Sequence, residues 1–239
     1  MQAIPLTEDP EVWEDRSFLD SEFVLIRDDD HFEVQMQYPL MKMKNAEEEC
    51  LVRREVWERL KAAAKKLPAG YRIRIWDAWR PFALQQELYE VYSGAIIREY
   101  GLMDKTAEER KRVIHKFVSE PVYNRDLPPV HTTGGAVDVT LIDERGRELK
   151  MGTGFDDFTG KAHTASFEGT EEAVIRDNRR LLYGVMTAAG FTNLPSEWWH
   201  YDYGDRFWGY YSKKTAIYRG AFTKEETGGR AEFRHGDQG

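Results

Sequence analysis

Two short segments of this 239-residue chain carry the side chains that metal-assisted hydrolysis needs. The first is His131-Thr132-Thr133-Gly134-Gly135-Ala136-Val137-Asp138, and the second is Glu197-Trp198-Trp199-His200. Two histidines and one carboxylate, with a fourth position open, are the ligands of a catalytic zinc site. A second carboxylate can then act as the base that activates the attacking water. Burying an unpaired carboxylate costs several kcal/mol, roughly, so an Asp138 held on an apolar strand calls for a cation beside it. Gly134-Gly135 lets the chain turn tightly enough for His131 to reach the same cation. Glu197 and His200 stand three apart, which on one strict strand would send them to opposite faces. Glu197 is therefore expected in a loop after Pro195-Ser196 and His200 in a strand, a ligand and a base approaching one metal from different sides. Arg80, between Trp79 and Pro81, could stabilise the oxyanion of a tetrahedral intermediate. Asp77 is expected to pair with it and is grouped with the substrate-binding side of the site.

The remaining sequence must position these groups. Residues 71–76 alternate polar and apolar and predict a strand; a loop carrying Asp77 and Arg80 follows, then a helix from about 81 to 92, with Pro81 at its start. Short strands are expected at 23–26 and 32–36. Leu51, Val52, Val56, Leu60 and Ala64 recur at helical spacing and predict a helix over 46–66. Another helix is expected over 106–118, with Thr106 as cap and Glu109 at the capping-box position. Residues 136–142 read as a strand that places Ala136, Asp138 and Thr140 on one face and Val137, Val139 and Leu141 on the other. A tight turn at 143–147, an ordered loop over 151–166, a helix over 170–189 stopped by Gly190, and an aromatic strand over 198–203 complete the pattern. This predicts an α+β fold, a central antiparallel sheet carrying the zinc site and flanked by helices. It also predicts one catalytic domain over 1–220 and a flexible tail over 221–239.

The formal net charge of -8 disfavours a nucleic-acid partner, because phosphate contact needs a basic face. The lone cysteine, Cys50, rules out an intrachain disulfide and a thiolate-rich metal site. No apolar stretch approaches the length of a membrane span, so no membrane partner is expected. Residues 1–14 carry acids and prolines in place of a secretory signal, and a cytoplasmic setting is the expectation.

His-x-x-Gly-x-Ala-x-Asp over 131–138, with Glu-Trp-Trp-His over 197–200, resembles the zinc D-alanyl-D-alanine dipeptidases of the VanX type. These form a wider group with the D-Ala-D-Ala carboxypeptidases and the Hedgehog-type zinc fold. Trp-Asp-x-x-Arg-Pro over 76–81, Met-Gly-x-x-Phe-Asp over 151–156 and Asn178-Arg179-Arg180 extend the match, in order, across about residues 71–203. The resemblance implies one zinc ion per chain on His131, Asp138 and His200. It implies Glu197 as catalytic base, Arg80 as transition-state stabiliser, and Asp156 as partner of the substrate's free ammonium group. The implied reaction is hydrolysis of D-Ala-D-Ala, or a closely related small dipeptide, to amino acids. Such enzymes usually carry a serine two residues before the first zinc histidine, which helps to recognise the substrate carboxylate. This chain has Pro129 there, with neither hydroxyl nor N–H, so the preferred dipeptide stays open. Two alternatives remain at this point: a carboxypeptidase or related enzyme acting on longer wall peptides, and a non-catalytic zinc- or partner-binding domain, which would have no use for Glu197 and Arg80. Nucleotide binding through Gly152-Thr153-Gly154 is disfavoured, because no Gly-Lys-Ser/Thr follows.

Overall fold

Residues 136–142 are the most continuously buried strand of the chain, and the site is built on them. In the computed structural model, which describes residues 2–115 and 117–228, strand β5 (Ala136–Ile142) is buried at every position. It pairs antiparallel with β4 (Arg72–Asp77) on one side and β7 (His200–Asp202) on the other. The two-residue strand β6 (Thr192–Asn193) extends the sheet beyond β7, and β2 (Phe32–Val34) closes the opposite edge beside β4. The sheet is antiparallel through its centre, and the β2–β4 edge pair is parallel. A separate antiparallel ribbon joins β1 (Phe23–Ile26) to β3 (Cys50–Arg53). The α+β architecture is the expected one.

The apolar face of the sheet makes the main core. Ile73, Ile75, Val137, Val139 and Leu141 pack with Val56 and Leu60 of α2 (Arg54–Ala64) and with Leu182 and Met186 of α5 (Ala173–Ala188). Each such side chain contributes about 1.5–3 kcal/mol on leaving water, so this layer fixes the register of β5. A one-residue slip would turn Asp138 into the core. On the face that carries Asp138, Tyr38 of the short α1 (Gln37–Leu40) packs with Leu84 and Leu88 of α3 (Phe82–Glu99). Ile96 of α3 packs in turn with Ile114 of α4 (Ala107–Ile114). The capping box of α4 is present: Thr106 Oγ1 accepts from Glu109 N, and Thr106 N donates to the Glu109 carboxylate.

Several boundaries differ from expectation. The helix predicted over 46–66 is β3 followed by α2; Leu51 and Val52 pair with Leu25 and Val24 of β1. Two adjacent apolar residues fit either period, and the pairing with β1 decides for strand. Helix α3 continues to Glu99, because Leu88 and Ile96 keep its buried stripe going. Asp77 closes β4 and does not begin the loop. Three elements went unforeseen, α1, β6 and α6 (Arg206–Ser212); the last is capped by Asp205, whose Oδ1 accepts from Phe207 N and Trp208 N. The packed chain also runs past residue 220. Ala221 and Phe222 are buried and Lys224–Thr227 forms a 3-10 turn, so 221–228 are not a free tail; residues 229–239 lie outside the described residues. Among the described residues, no helix is long and apolar enough to cross a membrane.

Candidate active site

His131 sits in a 3-10 turn, Val130–Thr133, that ends at Gly134 with φ +74°. A side chain at Gly134 would meet this left-handed backbone and the Phe23 ring together. Arg53 of β3 holds the turn, its Nε donating to Thr133 O (2.8 Å) and its N to Gly134 O (3.0 Å). The chain then enters β5 and brings Asp138 under His131, while β7 sets His200 opposite Asp138 in register.

The three side chains converge. His131 Nε2 lies 3.2 Å from His200 Nδ1, which lies 3.0 Å from Asp138 Oδ1; His131 Nε2 is 3.5 Å from Asp138 Oδ2. The other nitrogen of each ring is engaged. His131 Nδ1 donates to Ala78 O at 2.9 Å, and a carbonyl can only accept, so Nε2 is left bare. His200 Nε2 donates to Asp202 Oδ1 at 2.8 Å, leaving Nδ1 bare. Two imidazole lone pairs and a carboxylate thus face a single centre, all within 4.8 Å of one another. One proton satisfies only one of these contacts; a divalent cation satisfies all three, with the second shell already in place. This donor set fits zinc. Burial opposes the charge on Asp138, yet the facing imidazoles hold its carboxyl well below the usual carboxylate range. Burial also opposes charge on His200, and Asp202 and Asp138 more than offset it, raising His200 above the ordinary imidazole range.

Glu197 occupies the turn before β7, its N donating to Leu194 O (3.0 Å) while His200 N donates to Glu197 O (3.2 Å). The carboxylate stands 3.8 Å from His200 Nδ1 and keeps 23% of its side chain accessible, towards the cavity. Desolvation pushes the Glu197 carboxyl up to about 8; His200 and Arg80 work against this, and Asp138 and Asp156 add to it. A cation among the three ligands would draw it back down.

Arg80 lies just beyond β4, and its N donates to His131 O (3.2 Å). Its guanidinium is almost saturated. Nε and Nη2 donate to Asp77 Oδ2 (3.1 and 2.7 Å), Nη2 also to Tyr38 Oη (3.2 Å), and Nη1 to Gln85 Oε1 (2.7 Å). Four of its five N–H donors are used, and Nη2 stands 4.0 Å from Asp138 Oδ2. Asp77, grouped in the sequence reading with the substrate-binding residues, is buried behind Arg80 and does not line the cavity. Its carboxylate is committed to Arg80 and lies 3.3 Å from His131 Nδ1, so it orients those two side chains.

Asp156 has φ +52°, a left-handed backbone that few side chains adopt and Asp tolerates. Its Oδ2 accepts from Tyr92 Oη (2.6 Å) and Tyr38 Oη (3.0 Å). Burial pushes its carboxyl up to about 6 against the pull of the Tyr92 hydrogen bond. Arg179, buried in α5, fastens the loop that presents it, donating to Met151 O (2.7 Å), His163 O (2.7 Å) and Lys161 O (2.8 Å). These groups share one cavity of about 370 Å³, lined by Arg80, His131, Asp138, Asp156, Glu197 and His200 among others.

Comparison with known proteins shows the family of the chain. Residues 40–218 match the peptidase M15 family described as D-Ala-D-Ala dipeptidase. This chain belongs to that family. A D-alanyl-D-alanine dipeptidase of Synechocystis is 31% identical over 58% of this chain and 62% of its own. One of Escherichia coli is 28% identical over 64% of this chain and 66% of its own. The chain therefore matches less than two thirds of the length of either relative. Among solved structures, a mutant vancomycin-resistance D,D-pentapeptidase, VanY, in complex with Zn(II) covers 72% of this chain and 85% of its own, with 16% identity and a TM-score of 0.40.

Four residues of this dipeptidase-family site escaped the sequence reading. Asp202 was legible in principle: two residues beyond His200 on a strand, it shares that residue's face. Gln85 holds Arg80, and its Nε2 donates to Ser119 O (2.8 Å). Asn193 of β6 ties the turn before β7, its Nδ2 donating to Glu197 O (3.1 Å) and His200 O (2.9 Å). Tyr38 touches both Arg80 and Asp156 from far up the chain, and nothing in its local sequence marks it.

Proposed function

We propose that this chain hydrolyses free D-alanyl-D-alanine, or a closely related dipeptide, to amino acids, with one zinc ion on His131, Asp138 and His200. The observation that carries this reading is the placement of a tyrosine-held carboxylate, Asp156, in the same cavity as that metal set and Glu197. A structural zinc has no need of the second carboxylate, of the free base, or of the oriented guanidinium.

Bound there, zinc would supply a Lewis acid for the scissile carbonyl and make the attacking water more acidic. Glu197 takes the water proton and returns it to the departing amine, acting first as general base and then as general acid. Arg80, held by Asp77, Gln85 and Tyr38, has one N–H left for the developing oxyanion, and its fixed geometry spares reorganisation when charge appears. Asp156 pairs with the substrate ammonium and so sets where the chain of the substrate begins.

The test is a comparison of D-Ala-D-Ala with N-acetyl-D-Ala-D-Ala. Loss of the ammonium should cost at least about 10-fold in kcat/KM, as expected for a charge-assisted hydrogen bond. Equal or faster cleavage of the blocked dipeptide would replace the dipeptidase reading with the carboxypeptidase one. The proposal extends to a cell-wall dipeptide consumed in the cytoplasm, which activity measurements on separated cytoplasmic and envelope fractions check.

A further inference from the structure

Arg206, the first residue of α6, forms part of the cavity wall beside Pro129, Ser196 and Phe207. Its Nε donates to Pro128 O at 3.2 Å, and its Cζ lies 4.5 Å from the centre of the Phe207 ring. Those two contacts fix the plane of the guanidinium. Among the described residues, no carboxylate lies within 4.0 Å of it and neither terminal nitrogen donates a hydrogen bond. The carboxylate next to it in sequence, Asp205, is spent on capping α6. Arg80, the other arginine of the cavity, is committed to Asp77, Gln85 and Tyr38. Arg206 is therefore a fixed guanidinium that burial disfavours and that the nearby charges of Asp205 and Asp202 offset only in part, with no carboxylate in direct contact. Its two free terminal nitrogens match the two oxygens of a carboxylate.

The layout of charge gives that anion an identity. Asp156 lies with Tyr38 and Tyr92, on the α1 and α3 side of the cavity next to Arg80. Arg206 lies past β7, and the neighbouring Phe207 ring stands 6.5 Å from that of His200. In the sheet order β4, β5, β7, the cluster of His131, Asp138 and His200 falls between them. A cavity with a carboxylate on one side, a guanidinium on the other and the hydrolytic groups between is matched to a short zwitterion.

We propose that Arg206 binds the free C-terminal carboxylate of the substrate and thereby selects dipeptides with an unblocked end. This rests on the dipeptidase reading and adds to it the group that reads the second terminus. The experiment compares D-Ala-D-Ala with its C-terminal amide, D-Ala-D-Ala-NH2, on the wild-type chain and on Arg206→Met and Arg206→Lys. The wild type should prefer the acid by roughly 10- to 100-fold in kcat/KM, the range of a charged hydrogen bond converted to a ratio, with most of the difference in KM. Arg206→Met should bring that ratio near one, and Arg206→Lys should restore part of it. Two outcomes overturn the assignment: a wild type that does not distinguish acid from amide, which requires no variant to fold, or an Arg206→Met that keeps the wild-type ratio. Absence of cleavage of either compound by the zinc-loaded wild type would instead overturn the dipeptidase reading itself.

Discussion

Asp202 accepts a hydrogen bond from His200 at 2.8 Å, and both side chains are buried. The contact fixes which nitrogen of His200 faces His131 and Asp138, and the negative charge makes that nitrogen a better donor to a metal. Removing such a partner typically weakens metal binding about 10- to 100-fold. Asp202→Asn, which keeps the shape and removes the charge, should therefore give up zinc to a competing chelator at lower chelator concentration than the wild type. Unchanged affinity would mean that β7 alone positions His200.

Glu197 stands beside the ligand set and, on the account above, is not part of it. Glu197→Gln should keep a full complement of zinc and lose roughly 10²- to 10⁴-fold in kcat, the usual weight of a positioned general base. The decisive comparison is metal content against turnover on one preparation. Near-normal turnover would assign the base to another group.

The Asp156 carboxyl is pushed up to about 6, chiefly by burial. It is charged above that pH and neutral below it, so its pairing with a substrate ammonium is present at high pH and lost as pH falls through 6. The KM for D-Ala-D-Ala should accordingly rise on the acid side of about pH 6. Asp156→Asn tolerates the same left-handed backbone and removes the titration; its KM should be high at every pH. A wild-type KM that stays flat from pH 5 to pH 8 would detach Asp156 from the ammonium.

Arg179 holds three carbonyls of the loop that presents Asp156 and lies in α5, away from the reacting groups. Arg179→Met leaves those carbonyls without a buried partner, at about 1–3 kcal/mol each. The Tm should fall by at least about 5 °C, given roughly 2–4 °C per kcal/mol for a chain of this size. The variant should also show a raised KM, because the loop no longer fixes Asp156. A wild-type Tm would show that the 151–166 loop is held by other contacts.

What the sequence made legible was what local rules govern. The alternation over 136–142 placed Asp138 on the face opposite Val137, Val139 and Leu141, and the fold keeps that division. Thr106 and Glu109 announced their capping box in four residues. The convergence of His131 and Asp138 was readable because an apolar strand and a double glycine pointed both side chains to a shared centre, which His200 also faces. What stayed hidden depended on distant partners. Leu51 and Val52 became strand only because β1 pairs with them. Asp77 turned from substrate to Arg80 because a buried carboxylate next to a guanidinium is held there by both charge and hydrogen bonds. Tyr38 reached Arg80 and Asp156 through the packing of α1, which no periodicity reports. Arg206 lacked any signal at all, since its neighbour Pro128 lies far away in sequence.

The central claim is that one divalent ion sits where the bare nitrogens of His131 and His200 meet Asp138. The most direct measurement is the zinc-to-protein ratio of the purified chain beside that of Asp138→Ala, after both are dialysed against the same trace of zinc. The account predicts one zinc per chain for the wild type and almost none for the variant. Equal zinc in the two proteins, or a wild type that binds none, would contradict it.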